Sequence, residues 1–127
     1  MSATGFVAVG IGAMLGAWMR WGLGVALNAL VPTLPLGTLA ANLIGGYLIG
    51  VAVELVVQGA FLSAEWRLFI ITGFLGGLTT YSTFSAEAVE LLQYQHYGWA
   101  MLHIGSHLAG SLAMTVLGIY TVRAVIG

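Results

Sequence analysis

Four stretches of this chain are each longer than the roughly 20 apolar residues that cross a bilayer, and little else lies between them. They run from about Thr4 to Leu30, from Gly37 to about Val57, from Trp66 to about Tyr94 and from Trp99 to about Val125. The joins are short: a turn at Pro32 and Pro35, Gln58–Gly59–Ala60 followed by Ser63–Ala64–Glu65, and Gln95–His96–Tyr97–Gly98. No join can hold a soluble domain. The 127 residues therefore read as one all-helical integral membrane domain, 1–127, with four spans. Charge agrees: only 6% of residues are charged, against roughly 25% in a soluble domain, so this chain could not cover a surface facing water.

The ionisable residues are Arg20, Arg67, Arg123, Glu54, Glu65, Glu87, Glu90 and three histidines, with no lysine, aspartate or cysteine. Without cysteine there is no disulfide framework and no thiolate metal site. A net charge of −1 gives no electrostatic reason to expect nucleic acid. No basic region precedes the first apolar run, which reads as a span and not as a removed signal peptide. With four spans, both termini, Arg67 and Arg123 share one side, while Arg20 lies nearer the other. Two against one is a weak positive-inside bias. It leaves open a fixed orientation or insertion both ways, which would permit an antiparallel dimer.

The third run contains Gly73-Phe-Leu-Gly-Gly-Leu-Thr-Thr-Tyr-Ser-Thr-Phe-Ser85. Five Ser and Thr hydroxyls follow the pair Gly76–Gly77, with Tyr81 and Phe84 among them. Glycines weaken a helix, and backbone freed at membrane depth is tolerated where protein buries it or where it lines a hydrated path. About 29 residues would make roughly 43 Å of continuous helix, more than a ~30 Å hydrocarbon core needs. We expect a third helix broken in its middle, with a polar passage or ion site near the centre of the bilayer.

Small residues recur at helical spacing: Gly12 and Gly16 on the first span, Gly46 and Gly50 on the second, Ser106, Ala109, Gly110 and Ala113 on the fourth. These read as faces where helices approach closely in lipid. Four short helices make a thin bundle, and a central pathway is easier to build from two copies, so a homodimer is expected.

Polar residues inside the spans are the candidates for chemistry. Asn42 must be satisfied by a neighbouring helix or by a ligand; Thr38 lies one turn earlier on the same face. Arg20 sits well inside a span, where a charge tends to face the bundle interior or a wet cavity. Glu87 is better placed than Glu90 to meet a pore mouth. His103 and His107 form an i, i+4 stripe with Ser111 one turn on. That spacing would suit a metal between two imidazoles, but the sequence offers no third ligand, and a stripe lining a passage is the better reading. Tyr81 and Phe84 are core aromatics or, among polar neighbours, rings that offer their positive edge to an anion.

These motifs together resemble the Fluc (CrcB-type) fluoride channels of prokaryotes over essentially the whole chain. The specific parts are Gly-Thr-Leu-Ala-Ala-Asn at 37–42 and Gly-Gly-Leu-Thr-Thr-Tyr-Ser-Thr-Phe-Ser at 76–85. Gly-Ala-Trp-Met-Arg-Trp at 16–21 and Gly-Ser-Leu-Ala-Met-Thr at 110–115 support them. The resemblance implies an antiparallel dual-topology homodimer with two fluoride pores, in a prokaryotic plasma (inner) membrane. It implies that Asn42 donates to the ion, with Ser111 nearby, and that Tyr81 and Phe84 form an aromatic box. Ser82 and Thr83 would supply hydroxyls along the track, Glu87 would lie near a pore end, and Arg20 and Thr38 near the vestibule. The carbonyls of Gly76 and Thr79 from both subunits would hold a structural sodium ion. One residue departs from the pattern: the first aromatic of the box is ordinarily phenylalanine and here is Tyr81.

Two other classes match less well. A small dual-topology proton-coupled multidrug transporter matches the length and low charge, but such a protein usually carries its coupling carboxylate early in the chain, where this one has Arg20; Glu87 is the only substitute. A purely structural subunit would gain little from five hydroxyls around a helix break. No hydrolytic or redox constellation and no phosphate loop is evident, so catalysis is not expected.

Overall fold

A computed structural model describes residues 1–60 and 63–127. Its elements are α1 (Ala3–Leu27), α2 (Leu36–Val57), α3 (Ala64–Arg67), a π-wound segment (Leu68–Leu75), α4 (Gly76–Leu78), α5 (Tyr81–Gln93) and α6 (Tyr97–Ile126). Four helical spans among the described residues are long and apolar enough to cross a membrane: Ala3–Leu27, Leu36–Val57, Ala64–Gln93 and Tyr97–Ile126. Between 11% and 33% of the most apolar window of each is buried within the chain, so most of each span faces lipid or another molecule.

Local chemistry fixes the ends. Ser2 caps α1 by accepting the Gly5 N–H at 2.9 Å, and Ser63 caps α3 by accepting from Trp66 at 3.2 Å. Asn28, just past α1, accepts from both Gly37 and Thr38 N–H at 2.7 and 3.2 Å. One side chain thus closes the first turn of α2, whose Pro35 cap has no side-chain hydrogen bond.

Pairing follows the small residues. A Cβ added to Gly16 would run into the Phe74 carbonyl and lie 2.7 Å from Leu78 N, and one on Gly12 would strike Phe69 O; α1 therefore lies backbone-on-backbone against the third span. Across the other contact, a Cβ on Gly50 would strike Thr115 O and one on Gly118 would strike Tyr47 O. Thr115 seals this α2–α6 contact by donating to Gly46 O at 2.9 Å. On α6 the contact runs through Gly110, Thr115 and Gly118, while Ala109 and Ala113 are exposed; of the small residues expected to pack on this span, Gly110 does and the two alanines do not. A small core of Ala41, Leu75 and Leu78 lies where α2 meets the third span. Glu54, 4% exposed, accepts from Arg123 Nε and Gln58 Nε2, each at 3.0 Å, and ties the end of α2 to α6.

The third span is irregular. Leu68–Leu75 is wound as a π-helix, a rare form that is frequent at functional sites. Thr79 (φ −85°, ψ 154°) and Thr80 (φ −149°, ψ 119°) then take extended backbone between α4 and α5.

Candidate functional site

Extended backbone at Thr79 and Thr80 leaves N–H and C=O groups that helical bonding would have used, and in lipid each needs a partner. Thr80 N–H, which in a continuous helix would close on Gly76 O, donates instead to Asn42 Oδ1 at 2.8 Å. Asn42 Nδ2 donates to Thr80 O at 3.0 Å. One amide therefore clamps both polar groups of Thr80. Downstream, Thr80 caps α5: its hydroxyl accepts the Thr83 N–H at 3.1 Å, which a continuous helix would have sent to Thr79 O. Upstream, Arg20 Nε donates to Gly77 O at 3.0 Å, and Thr79 Oγ1 folds back on Leu75 O at 2.8 Å.

The clamp also settles a tautomer. Thr80 fixes which end of the Asn42 amide is nitrogen, and the second Nδ2 proton points at His107 Nδ1, 3.0 Å away. His107 Nδ1 is thus an acceptor and its ring proton sits on Nε2. His103 Nε2 faces the Phe84 carbonyl at 3.3 Å and Glu87 Oε1 at 3.6 Å. Thr38 donates its hydroxyl to Glu87 Oε2 at 2.8 Å. Three polar atoms in this group, Glu87 Oε1, His103 Nδ1 and His107 Nε2, are buried without a hydrogen-bond partner.

Aromatic rings line the same region. Phe84 stacks on His103 with centroids 5.3 Å apart, lies 4.7 Å from the His107 ring, and meets Tyr81 edge-on at 5.6 Å and 64°. Tyr81 itself is 82% exposed on the single chain.

Two cavities meet here. The larger, about 520 Å³, is lined by Asn42, Thr79, Tyr81, Phe84, His107 and Ser111 among others, and Gly76 borders it too. The smaller, about 310 Å³, is lined by Arg20, Asn28, Thr38 and Thr83 among others. Thr80 is the one residue common to both linings. Asn42, Tyr81, Phe84 and Ser111 thus gather in one cavity, and Arg20, Thr38 and Thr83 in the other. Ser82 lies outside both, exposed, its hydroxyl 3.3 Å from that of Thr80. Glu87 and His103 lie behind the linings; Ser111 Oγ donates to Leu108 O at 3.3 Å.

Sequence reasoning missed three features. Asn28 shows no periodic signal, being a loop residue that bonds across a turn. The Glu54–Arg123 pair joins residues 69 positions apart. Glu87 is the third metal-capable group beside His103 and His107, with one ligating atom from each within 4.8 Å of the others; the sequence offers no third ligand because Glu87 lies on α5 and joins the pair only through packing.

A polytopic helical protein whose polar residues gather around Thr79 and Thr80 is the class that this fold and site define. The sequence profile of the family described as "CrcB-like protein, Camphor Resistance (CrcB)" matches residues 7–119. A relative from Cupriavidus pinatubonensis, named fluoride-specific ion channel FluC, is 63% identical over 123 residues, 97% of this chain and 98% of its own. Relatives of the same name from Nitrosospira multiformis (62% over 97% of this chain and 96% of that one) and Pseudomonas putida (58% over 91% of each) are also similar. The chain belongs to the CrcB family and is a multi-pass membrane protein.

Proposed function

We propose that this protein is a passive, highly selective fluoride channel, assembled as an antiparallel dual-topology homodimer in a prokaryotic inner membrane. The observation that carries the reading is that Thr80, clamped by Asn42 in the interrupted span, lines both cavities, so a path between them passes the break. The names of the relatives supply the ion.

Fluoride is small and strongly hydrated, and stripping its water demands several donors. The seam offers them as partial charges. The amino end of α5 faces the break and favours an anion; the Thr83 hydroxyl and the ring edges of Tyr81 and Phe84 add to it, and Ser111 reaches an ion only by releasing Leu108 O. Among the described residues Arg20 is the one full cation near the path. With one Nε proton held by Gly77 O, it draws anions into the smaller cavity without closing the narrow part. Moderate, repeated sites permit both entry and release. Asn42 already spends both amide protons on Thr80 and His107, so it reaches an ion only by exchanging one of those bonds.

A second copy is supported by the open side of the larger cavity and the exposed Tyr81. Backbone carbonyls are hard oxygen donors suited to sodium. Gly76 and Thr79 fit this role, since the N–H groups that would close on their carbonyls are diverted to Asn42 and to the Thr80 hydroxyl. Two carbonyls per chain are few for a cation and four are enough for a shared site, so sodium would bind the two copies together. The multidrug-transporter reading gains nothing: Glu87 accepts from Thr38, and the relatives are named for fluoride.

Phe84 tests this reading. Phe84→Ile keeps an apolar side chain but removes the ring edge, and fluoride efflux from liposomes is expected to fall severely while the purified protein elutes as the wild-type dimer. Wild-type efflux from a folded Phe84→Ile protein would remove the ring from the mechanism.

A further inference from the structure

We propose that Glu87, His103 and His107 form a binding site for a late first-row divalent cation such as Co2+, Ni2+ or Zn2+, held between α5 and α6. The three side chains put one ligating atom each within 4.8 Å of one another. His103 is 0% exposed and His107 4% exposed, and each carries a ring nitrogen with no hydrogen-bond partner, as Glu87 carries an unpaired oxygen. These atoms are closed to water, so a solvent molecule does not satisfy them as they stand.

The spacing is compatible with a small metal ion. A point equidistant from three atoms 4.8 Å apart lies at most about 2.8 Å from each, and zinc bonds to nitrogen and oxygen run about 2.0–2.2 Å, so a contraction of about 0.7 Å suffices. Donor chemistry rather than size favours a cation, since the unpaired atoms include a carboxylate oxygen and an imidazole lone pair. Two imidazoles and one carboxylate suit these metals and not calcium or magnesium. The carboxylate also offsets half the charge of the cation.

The outer contacts differ in their effect. His103 Nε2 lies 3.6 Å from Glu87 Oε1 and donates its proton to the Phe84 carbonyl; ligation uses either its unpaired Nδ1 or Nε2 released from that carbonyl. His107 is held the other way: Asn42 donates to Nδ1, so ligation through Nε2 moves the ring proton to Nδ1, where it faces an amide donor. Asn42 is therefore a positioning residue that weakens the site. An aspartate there would accept from Nδ1–H and tighten it. A bound cation ties α5 to α6 beside Phe84 and fixes the Thr38–Glu87 contact, so it slows any ion passing the seam.

The test is a Co2+ titration of the full chain in detergent, freed of any histidine tag and followed by visible absorption. We expect one bound ion per chain, with the intense bands of a low-coordinate site, displaced by Zn2+. His103→Ala, His107→Ala and Glu87→Gln lose the bands, and His96→Ala keeps them. Asn42→Asp binds roughly 10–100-fold tighter, the usual weight of an outer-shell partner. If a histidine variant does not purify as a single species, the wild-type titration and Asn42→Asp decide. A wild-type spectrum unchanged from aqueous Co2+, or bands kept in folded His103→Ala and His107→Ala, overturns the site. Wild-type liposomes that release no fluoride would instead overturn the channel reading, and the cobalt result stands apart from it.

Discussion

Asn42→Ala is expected to lose most of its fluoride efflux and to be far less stable than wild type. The substitution strips both partners from Thr80 at once, and each buried polar group left unpaired costs about 1–3 kcal/mol, or about 2–6 kcal/mol together. Interhelical hydrogen bonds in membranes average only about 0.6 kcal/mol, because an unfolded helix finds other partners. Thr80 differs because its backbone is already extended, so no helical partner waits for it. Water from either cavity recovers part of the loss, which places the effect toward the lower end. Asn42→Asp keeps an acceptor for the Thr80 N–H and should fall between alanine and wild type. Thermal unfolding in detergent and efflux from liposomes read the two effects separately. An alanine variant equal to wild type in both would show that the clamp holds nothing.

Gly16→Ala should destabilise the protein, while Gly22→Ala should leave it unchanged or improve it. The two glycines lie six residues apart on α1, and helix propensity alone favours alanine at both by about 1 kcal/mol. Gly22 has nothing within 4 Å of an added Cβ, so that gain is realised. At Gly16 the added carbon meets the Phe74 carbonyl and Leu78 N. Backbone cannot rotate aside, so α1 must lift from the third span, and overpacking of this kind costs about 1–3 kcal/mol. Opposite shifts of the unfolding midpoint are therefore expected. Equal shifts would mean that α1 does not pack through this face.

The contrast shows what a sequence of this kind makes legible. Span positions are visible because hydropathy is a local property: Leu36–Val57 begins within a residue of its expected start, and the α1 and α2 contacts run through Gly12, Gly16, Gly46 and Gly50 as spacing suggests. Features that depend on which helix meets which are not visible. The sequence leaves Asn42 divided between a neighbour and a ligand, and its partners are a threonine 38 residues on and a histidine 65 residues on. His103 and His107 offer a pair by helical period, but Glu87 joins them only because α5 packs on α6. The π winding over Leu68–Leu75 has no signal in composition, since the same apolar residues suit an α-helix.

The central claim is that the interrupted span lets a dehydrated anion pass by Thr80 and the two rings. It is tested most directly by loading liposomes that contain the purified protein with equal fluoride and chloride, and recording both ions outside after a potassium ionophore is added. Fluoride leaving rapidly with compensating potassium, and chloride remaining almost entirely inside, is the predicted result. Release of the two ions at equal rates, or no fluoride release beyond that of protein-free liposomes, would contradict it.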